Sequence, residues 1–143
     1  MQSNITLTSH DDLAVITMGN EARANSIDLE FCDAMLRALS EIEAQDKHRA
    51  VVLRATGRIF SSGGNLVQIL GGLHRSDSFL ETLISALNSV ILALRRLPVP
   101  VIASVQGAAA AERVNEFATP GCLHSVIKRQ VLCGLGIPSF WVG

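Results

Sequence analysis

Two short stretches are suited to chemistry done by the backbone. "GRIFSSGGNL" (57–66) sets two serines and two adjacent glycines between Phe60 and Asn65, and "QGAAAA" (106–111) strings small residues behind a glycine. Neither carries a bulky side chain at its turn, so main-chain N–H groups there can come close to a ligand. Two amides converging from separate loops make an oxyanion hole, which stabilises the negative oxygen of an enolate or of a thioester under attack. Small residues also allow tight turns and close helix–sheet packing, and spacing alone leaves both readings open.

Side chains offer less. His10, His48 and His124 have no partners at ligand spacing, and Cys32, Cys122 and Cys133 form no CxxC or Cys/His pattern, so no metal site is expected. Cys32 falls on an apolar helix face, and Cys122 and Cys133 have no neighbouring base to make a nucleophile. His74 lies in a loop segment where it can face a ligand pocket or simply solvent. Arg54, Arg58 and Arg95 can meet phosphates or water equally well. No GxGxxG is present, so no dinucleotide fingerprint is read.

Composition narrows the classes further. Twelve Lys+Arg against 13 Asp+Glu give a net charge of −1, which argues against a nucleic-acid or polybasic membrane surface. Hydrophobic residues are 48% of the 143, enough for a packed core of one ordinary domain. An odd cysteine count and a polar start, "MQSNITLTSHDD", without an apolar leader point to a reducing, cytoplasmic setting. The longest apolar segment, about 83–97, is interrupted by Ser85, Asn88, Ser89, Arg95 and Arg96 and reads as too short and too polar to span a membrane.

The elements that must position the two loops follow from periodicity. "NITLT" and "LAVITM" are strands around the turn residues "SHDD". After the polar "GNEARANS", Ser26 is the expected N-cap of a helix over 27–45, with Phe31, Cys32, Met35, Leu39 and Ile42 on one face. "AVVLRA" (50–55) suits a strand buried on both faces. "VQILGGLHRSDS" (67–78) reads as a connection containing Gly71 and Gly72. Ser78 and Glu81 form a capping box for a second helix, whose stripe Leu80, Leu83, Ile84, Leu87, Ile91 and Leu94 runs to Leu97 before Pro98. "VPVIASV" (99–105) is another buried strand. This alternation predicts an α/β fold with a mainly parallel sheet, and ligands of such sheets gather at loops leaving the carboxyl ends of strands. Both chemical stretches occupy that position. Beyond residue 111 periodicity weakens, with 126–132 able to form one more helix or strand.

The combined pattern resembles the crotonase family of enoyl-CoA hydratases and isomerases. "AVVLRATGRIFSSGGNL" (50–66) is similar to a strand leading into Phe-Ser/Ala-x-Gly-x-Asp-Leu, and "RRLPVPVIASVQGAAA" (95–110) to Lys-Pro-Val-Ile-Ala-x-Val-x-Gly. "EARANSIDLEFCDAM" (21–35) is similar to an Arg-x-Asn-Ala-Leu segment near bound CoA. The resemblance implies a partial crotonase-like ββα spiral core over 1–111, followed by a divergent tail, 112–143. It implies an acyl-CoA thioester as substrate, coenzyme A entering as part of that substrate and no separate cofactor. Gly64 stands where the family's first oxyanion-hole amide lies. Ser62, Gly63, Asn65 and Leu66 match the segment lining the CoA path, with Asn65 in place of the usual Asp. Ala24 and Asn25 match the other CoA-contacting loop.

The resemblance breaks at the second loop. Ala111, Glu112 and Arg113 occupy positions where it implies glycines and the other oxyanion amide. Asn115 stands where many hydratases carry a catalytic glutamate, and Glu116 is one residue, or about 100° of helix, out of register. Codons for Glu-Arg-Val at 112–114 exist whose one-base shift reads Gly-Ala-Gly. The chain is about half the usual family length, which leads us to expect a truncated relative. It is expected to act as an enoyl-CoA hydratase or isomerase or, lacking its acid–base groups, to bind acyl-CoA without turnover. It is further expected to self-associate as a homo-oligomer or to join full-length paralogues.

Overall fold

The computed structural model describes residues 4–73, 78–109 and 123–126. The chain begins as an antiparallel hairpin, β1 (Ile5–His10) and β2 (Leu13–Met18), in the register Ile5↔Met18 to His10↔Leu13. Asp11 closes it at φ 50°, a left-handed conformation that a short polar side chain tolerates. β3 (Ala50–Ala55) and β5 (Val101–Val105) then add parallel strands, and β7 (Leu123–Val126) adds an antiparallel one against β5. The five-stranded sheet therefore runs β1-β2-β3-β5-β7. Its centre is parallel, as expected, while both outer pairings are antiparallel. A separate two-stranded parallel sheet joins β4 (Ile59–Ser61) to β6 (Ala108–Ala109), the two stretches singled out for backbone chemistry.

α1 (Leu29–Gln45) packs on the sheet with the face its periodicity announced. Phe31, Cys32, Met35, Leu39 and Ile42 are all buried, against Ala14, Ile16, Val51, Leu53 and Val101. The cap is two residues later than predicted. Asp28, extended at φ −140° and ψ −177°, accepts from the Phe31 N–H at 2.9 Å through Oδ1, so the carboxylate of Asp28, not the hydroxyl of Ser26, starts the helix. Ile27 cannot be helical because its backbone pairs elsewhere, as described below.

α3 (Ser78–Arg96) packs on α1 with part of its predicted stripe, joined by Val90. Leu83 and Val90 are buried and Leu87 and Leu94 partly so, whereas Ile84 and Ile91 face outward with Leu92. At 19 residues with a mean hydropathy of 1.3, α3 is long and apolar enough to cross a bilayer by length and composition, which corrects the expectation that this segment is too short. Here it is docked on α1. The expected connection at 67–78 instead contains α2 (Leu66–Leu73), so Gly71 and Gly72 lie inside a helix. Gly72 is there because α2 and α3 cross closely: a methyl group at Gly72 would overlap the Phe79 ring.

Candidate active site

The site is assembled from two loops that run side by side. Ser62 N–H donates to the Ala24 carbonyl at 2.9 Å, Ile27 N–H to Gly63 at 2.8 Å, and Asn65 N–H to Ile27 at 2.9 Å. The last two form a parallel bridge between Ile27 and Gly64. In a parallel bridge the residue flanked by both bonds turns its own N–H and C=O to the opposite edge. Gly64 N–H is thus directed away from Ile27, and among the described residues it has no hydrogen-bond partner. The glycine pair divides the work. Gly63, at φ 82°, makes the left-handed turn that a side chain would strain, and Gly64, outside that region, presents the amide.

Asn25 holds the two loops at this distance. It is 2% exposed and left-handed at φ 51°, as is Ala24 before it. Its Nδ2 donates to the carbonyls of Thr56 at 3.0 Å and Ile59 at 2.8 Å, and its Oδ1 accepts from Asn20 N–H at 2.8 Å. Its own carbonyl accepts from Ser61 Oγ at 3.0 Å, and that same Oγ accepts from Gly63 N–H at 3.1 Å. The side chain is therefore spent inside the protein, supporting the loop that ends in Gly64.

The two loops line an open cleft of about 480 Å³. Of the residues expected at the site, Ser62, Gly64, Asn65 and Leu66 line it, while Ala24, Asn25 and Gly63 stand behind as backbone support. Asn65 also caps α2: its Oδ1 accepts from Gln68 N–H at 3.2 Å and its carbonyl from Ile69 N–H at 2.9 Å. Asn and Asp cap equally well, so this departure from the resemblance leaves the local turn unchanged. Ala22, Arg23, Ser26, Val67 and Gln68 complete the wall and were not expected at the site from sequence. Arg23 and Gln68 share a buried neighbour, Asp28. Its Oδ2 lies 3.6 Å from Arg23 Nη1 and 3.5 Å from Gln68 Nε2. The Cys32 thiol, one turn along α1, is held above the ordinary thiol value by burial and, secondarily, by the Asp28 charge. Arg23 was legible as the arginine of "ARAN", but only the folded loop shows that it faces the cleft.

The second loop packs against the strand that leads into the first, and among the described residues it does not line the cleft. β6 runs parallel to β4, with Ile59 opposite Ala108 and Ser61 opposite Ala109. Gly107, at φ 64°, approaches so closely that a methyl group there would collide with the Arg58 carbonyl oxygen. Gln106 Nε2 adds a 2.7 Å bond to the Ala55 carbonyl. Ala111, Glu112, Arg113, Asn115 and Glu116, on which the second donor and the acid–base groups depend, lie outside the described residues, as do His74, Cys122 and Cys133.

The other candidates lie apart from the cleft. Arg54 donates through Nε to Thr17 Oγ1 at 3.0 Å, and neither it nor Arg58 or Arg95 lines the cleft. His48 shares a 3.0 Å hydrogen bond with Ser9 Oγ through Nε2. Its buried Nδ1 meets no partner among the described residues, so this pair has no carboxylate to orient it as a nucleophilic dyad would. Among those residues no three His, Cys, Asp or Glu side chains cluster to hold a metal.

Comparison with known proteins bears on the same residues. The family model for enoyl-CoA hydratase/isomerase matches residues 8–114. A trans-2-decenoyl-[acyl-carrier-protein] isomerase of Streptococcus mutans is 29% identical over 115 residues, covering 79% of this chain and 44% of that protein. The probable enoyl-CoA hydratase of Mycobacterium bovis is 36% identical over 103 residues, covering 68% of this chain and 36% of its own length. Among solved structures, an enoyl-CoA hydratase from Polaromonas sp. JS666 superposes with a TM-score of 0.71 at 32% identity, over 75% of this chain and 42% of that one. The chain thus spans less than half the length of these relatives.

Proposed function

The chain belongs to the enoyl-CoA hydratase/isomerase family, and from that premise we propose that its cleft binds an acyl thioester with the carbonyl oxygen on the Gly64 amide. The fold is the crotonase-like α/β core that the motifs implied. The observation that carries the reading is the unpartnered N–H of Gly64, a residue of the cleft wall, turned away from Ile27 by their bridge. A donor already fixed in place costs nothing to reorganise when negative charge develops on the oxygen, which is what enolate or oxyanion chemistry requires. Coenzyme A enters as part of the substrate and no further cofactor is invoked. Relatives named for CoA and for acyl-carrier-protein substrates share one chemical feature, a thioester on a pantetheine arm.

For this chain we propose binding rather than turnover. Among the described residues the cleft has one donor and no placed acid or base for the proton transfers that hydration or a double-bond shift demands. Asn25, Ala24 and Gly63 act by positioning, and Ser62, Asn65 and Leu66 by lining the path. The exposed Leu66, Val67 and Leu70 of α2 and Ile84, Ile91 and Leu92 of α3 support association with further copies or with longer paralogues. The buried free thiol of Cys32 fits a reducing cytoplasm.

The test pairs calorimetry with CoA and loss of the conjugated thioester absorbance of crotonyl-CoA. Binding with a shift of the Gly64 amide resonance and no turnover is expected. Turnover above buffer would overturn the non-catalytic reading, and absence of any binding would overturn both. Sedimentation at rising concentration tests association, and a monomer throughout would remove it.

A further inference from the structure

Ser26 stands where the Arg-x-Asn-Ala-Leu pattern has alanine, so it brings to the cleft a hydroxyl that the pattern lacks. The residue is 7% exposed and lines the cleft together with Gly64, yet its Oγ has no hydrogen-bond partner among the described residues. A buried hydroxyl with no partner is destabilising, and alanine would avoid that cost. The fold does not use this oxygen: Asp28 caps α1, and the Ser26 backbone N–H is already bonded to the Arg23 carbonyl at 3.1 Å.

We infer that the Ser26 hydroxyl is a ligand contact, taking the amide of a pantetheine-type arm whose thioester oxygen rests on Gly64. This rests on the acyl-thioester reading above and adds to it a specificity-determining residue. The geometry is set by the bridge. Ile27 pairs with Gly64, so Ser26, the residue before Ile27, lies about one strand spacing, roughly 5 Å, from the Gly64 backbone. Because the Gly64 N–H points to the opposite edge, the arm crosses over Gly64, which has no side chain, and in a pantetheine thioester the two methylene groups between sulfur and first amide supply that crossing. The same cleft wall carries Leu66 and Val67, apolar side chains suited to those methylenes. A hydroxyl is donor and acceptor together, so it can serve either end of the amide. The exposed side chains of Arg23 and Leu66, which line the same cleft, can swing outward to let the arm reach it.

Ser26→Ala tests this with two independent readouts. Melting temperature should stay level or rise, because no bond within the fold is lost. Affinity for CoA by calorimetry should fall about fivefold, the size of one neutral hydrogen bond. Acetyl-pantetheine, followed by ligand-observed NMR, should weaken by the same factor, since it keeps the arm and lacks the nucleotide. Unchanged CoA affinity in a wild-type protein that binds CoA would overturn the inference while leaving the acyl-thioester reading intact. A penalty on CoA alone would move the contact to the nucleotide and equally overturn it, and a fall in melting temperature would show a structural hydroxyl instead. Wild-type protein that binds neither ligand would remove the underlying reading and this inference with it.

Discussion

The loops around Asn25 and the helix pair α2–α3 are built on opposite principles. Between residues 20–28 and 56–65 the chain is tied by a dense set of directional bonds, several of them converging on one buried amide side chain. On α2 and α3, large apolar side chains such as Val67, at 83% exposed, and Ile84 stand in solvent. An amide must be aimed to within a fraction of an ångström to stabilise a developing charge, and hydrogen bonds with left-handed residues fix backbone direction in a way that non-directional burial cannot. A wall that has only to accommodate an alkyl chain, or a neighbouring surface, needs no such control.

The contrast predicts a steep gradient of mutational cost. Gly107→Ala should cost the most, roughly 3–5 kcal/mol by urea denaturation, because its methyl group meets the Arg58 carbonyl and its φ of 64° disfavours any side chain. A loss below about 1 kcal/mol would mean that the β4–β6 approach is looser than described. Asn25→Ala comes next at about 3 kcal/mol, since Thr56, Ile59 and Asn20 are left with unpaired backbone groups. Asn25→Gly should recover part of this by relieving the left-handed backbone while still lacking the amide. Equal losses in the two variants would assign the whole effect to hydrogen bonding.

Asp28→Ala should cost about 1 kcal/mol for the lost cap of α1, with some weakening of CoA binding as Arg23 and Gln68 lose their shared neighbour. An unchanged calorimetric affinity would show that the cleft wall does not depend on that carboxylate. Cys32 adds a pH dependence. Its thiol is raised in the folded state, so the native chain keeps a proton that the unfolded chain releases. That contribution is complete below the ordinary thiol value and is lost as pH rises above it, so denaturation midpoints should fall at alkaline pH in the wild type and less in Cys32→Ala. The smallest effect is expected on the outer face: Val67→Thr and Ile84→Gln should each shift stability by no more than about 0.5 kcal/mol. A larger loss would show that these side chains are covered in solution and would bring the outer face closer in kind to the loops.

Much of this was legible in the residues themselves. The β-branched runs at 13–18, 50–55 and 101–105 and the apolar face of α1 matched their periodicity because burial on a sheet or helix imposes it directly. The misses share a cause. α2 was read as a connection because adjacent glycines normally break helices, and only the approach of Phe79 explains Gly72 inside one. Ser26 was read as a cap because serine commonly is one, but Ile27 is claimed by the bridge to Gly64. The stripe read for α3 was too wide, taking in the exposed Ile84 and Ile91, because the helix is apolar across more than one face and contact with α1 selects among them.

Gly64 shows where the division falls. Its surroundings, "SSGGN", were enough to mark a backbone-chemistry candidate and, with two other motifs in order, a family. Those are properties of residue type and spacing, which the chain carries before it folds. Which of the two glycines turns and which presents its amide, that Asn25 faces inward rather than toward a ligand, and that Arg23 and Ser26 share the cleft with Gly64 were decided by folding. Residues 24–27 and 62–65 are distant in sequence and meet through the parallel bridge and the Ser62–Ala24 bond, and the direction of an N–H depends on which edge of the strand its partner occupies.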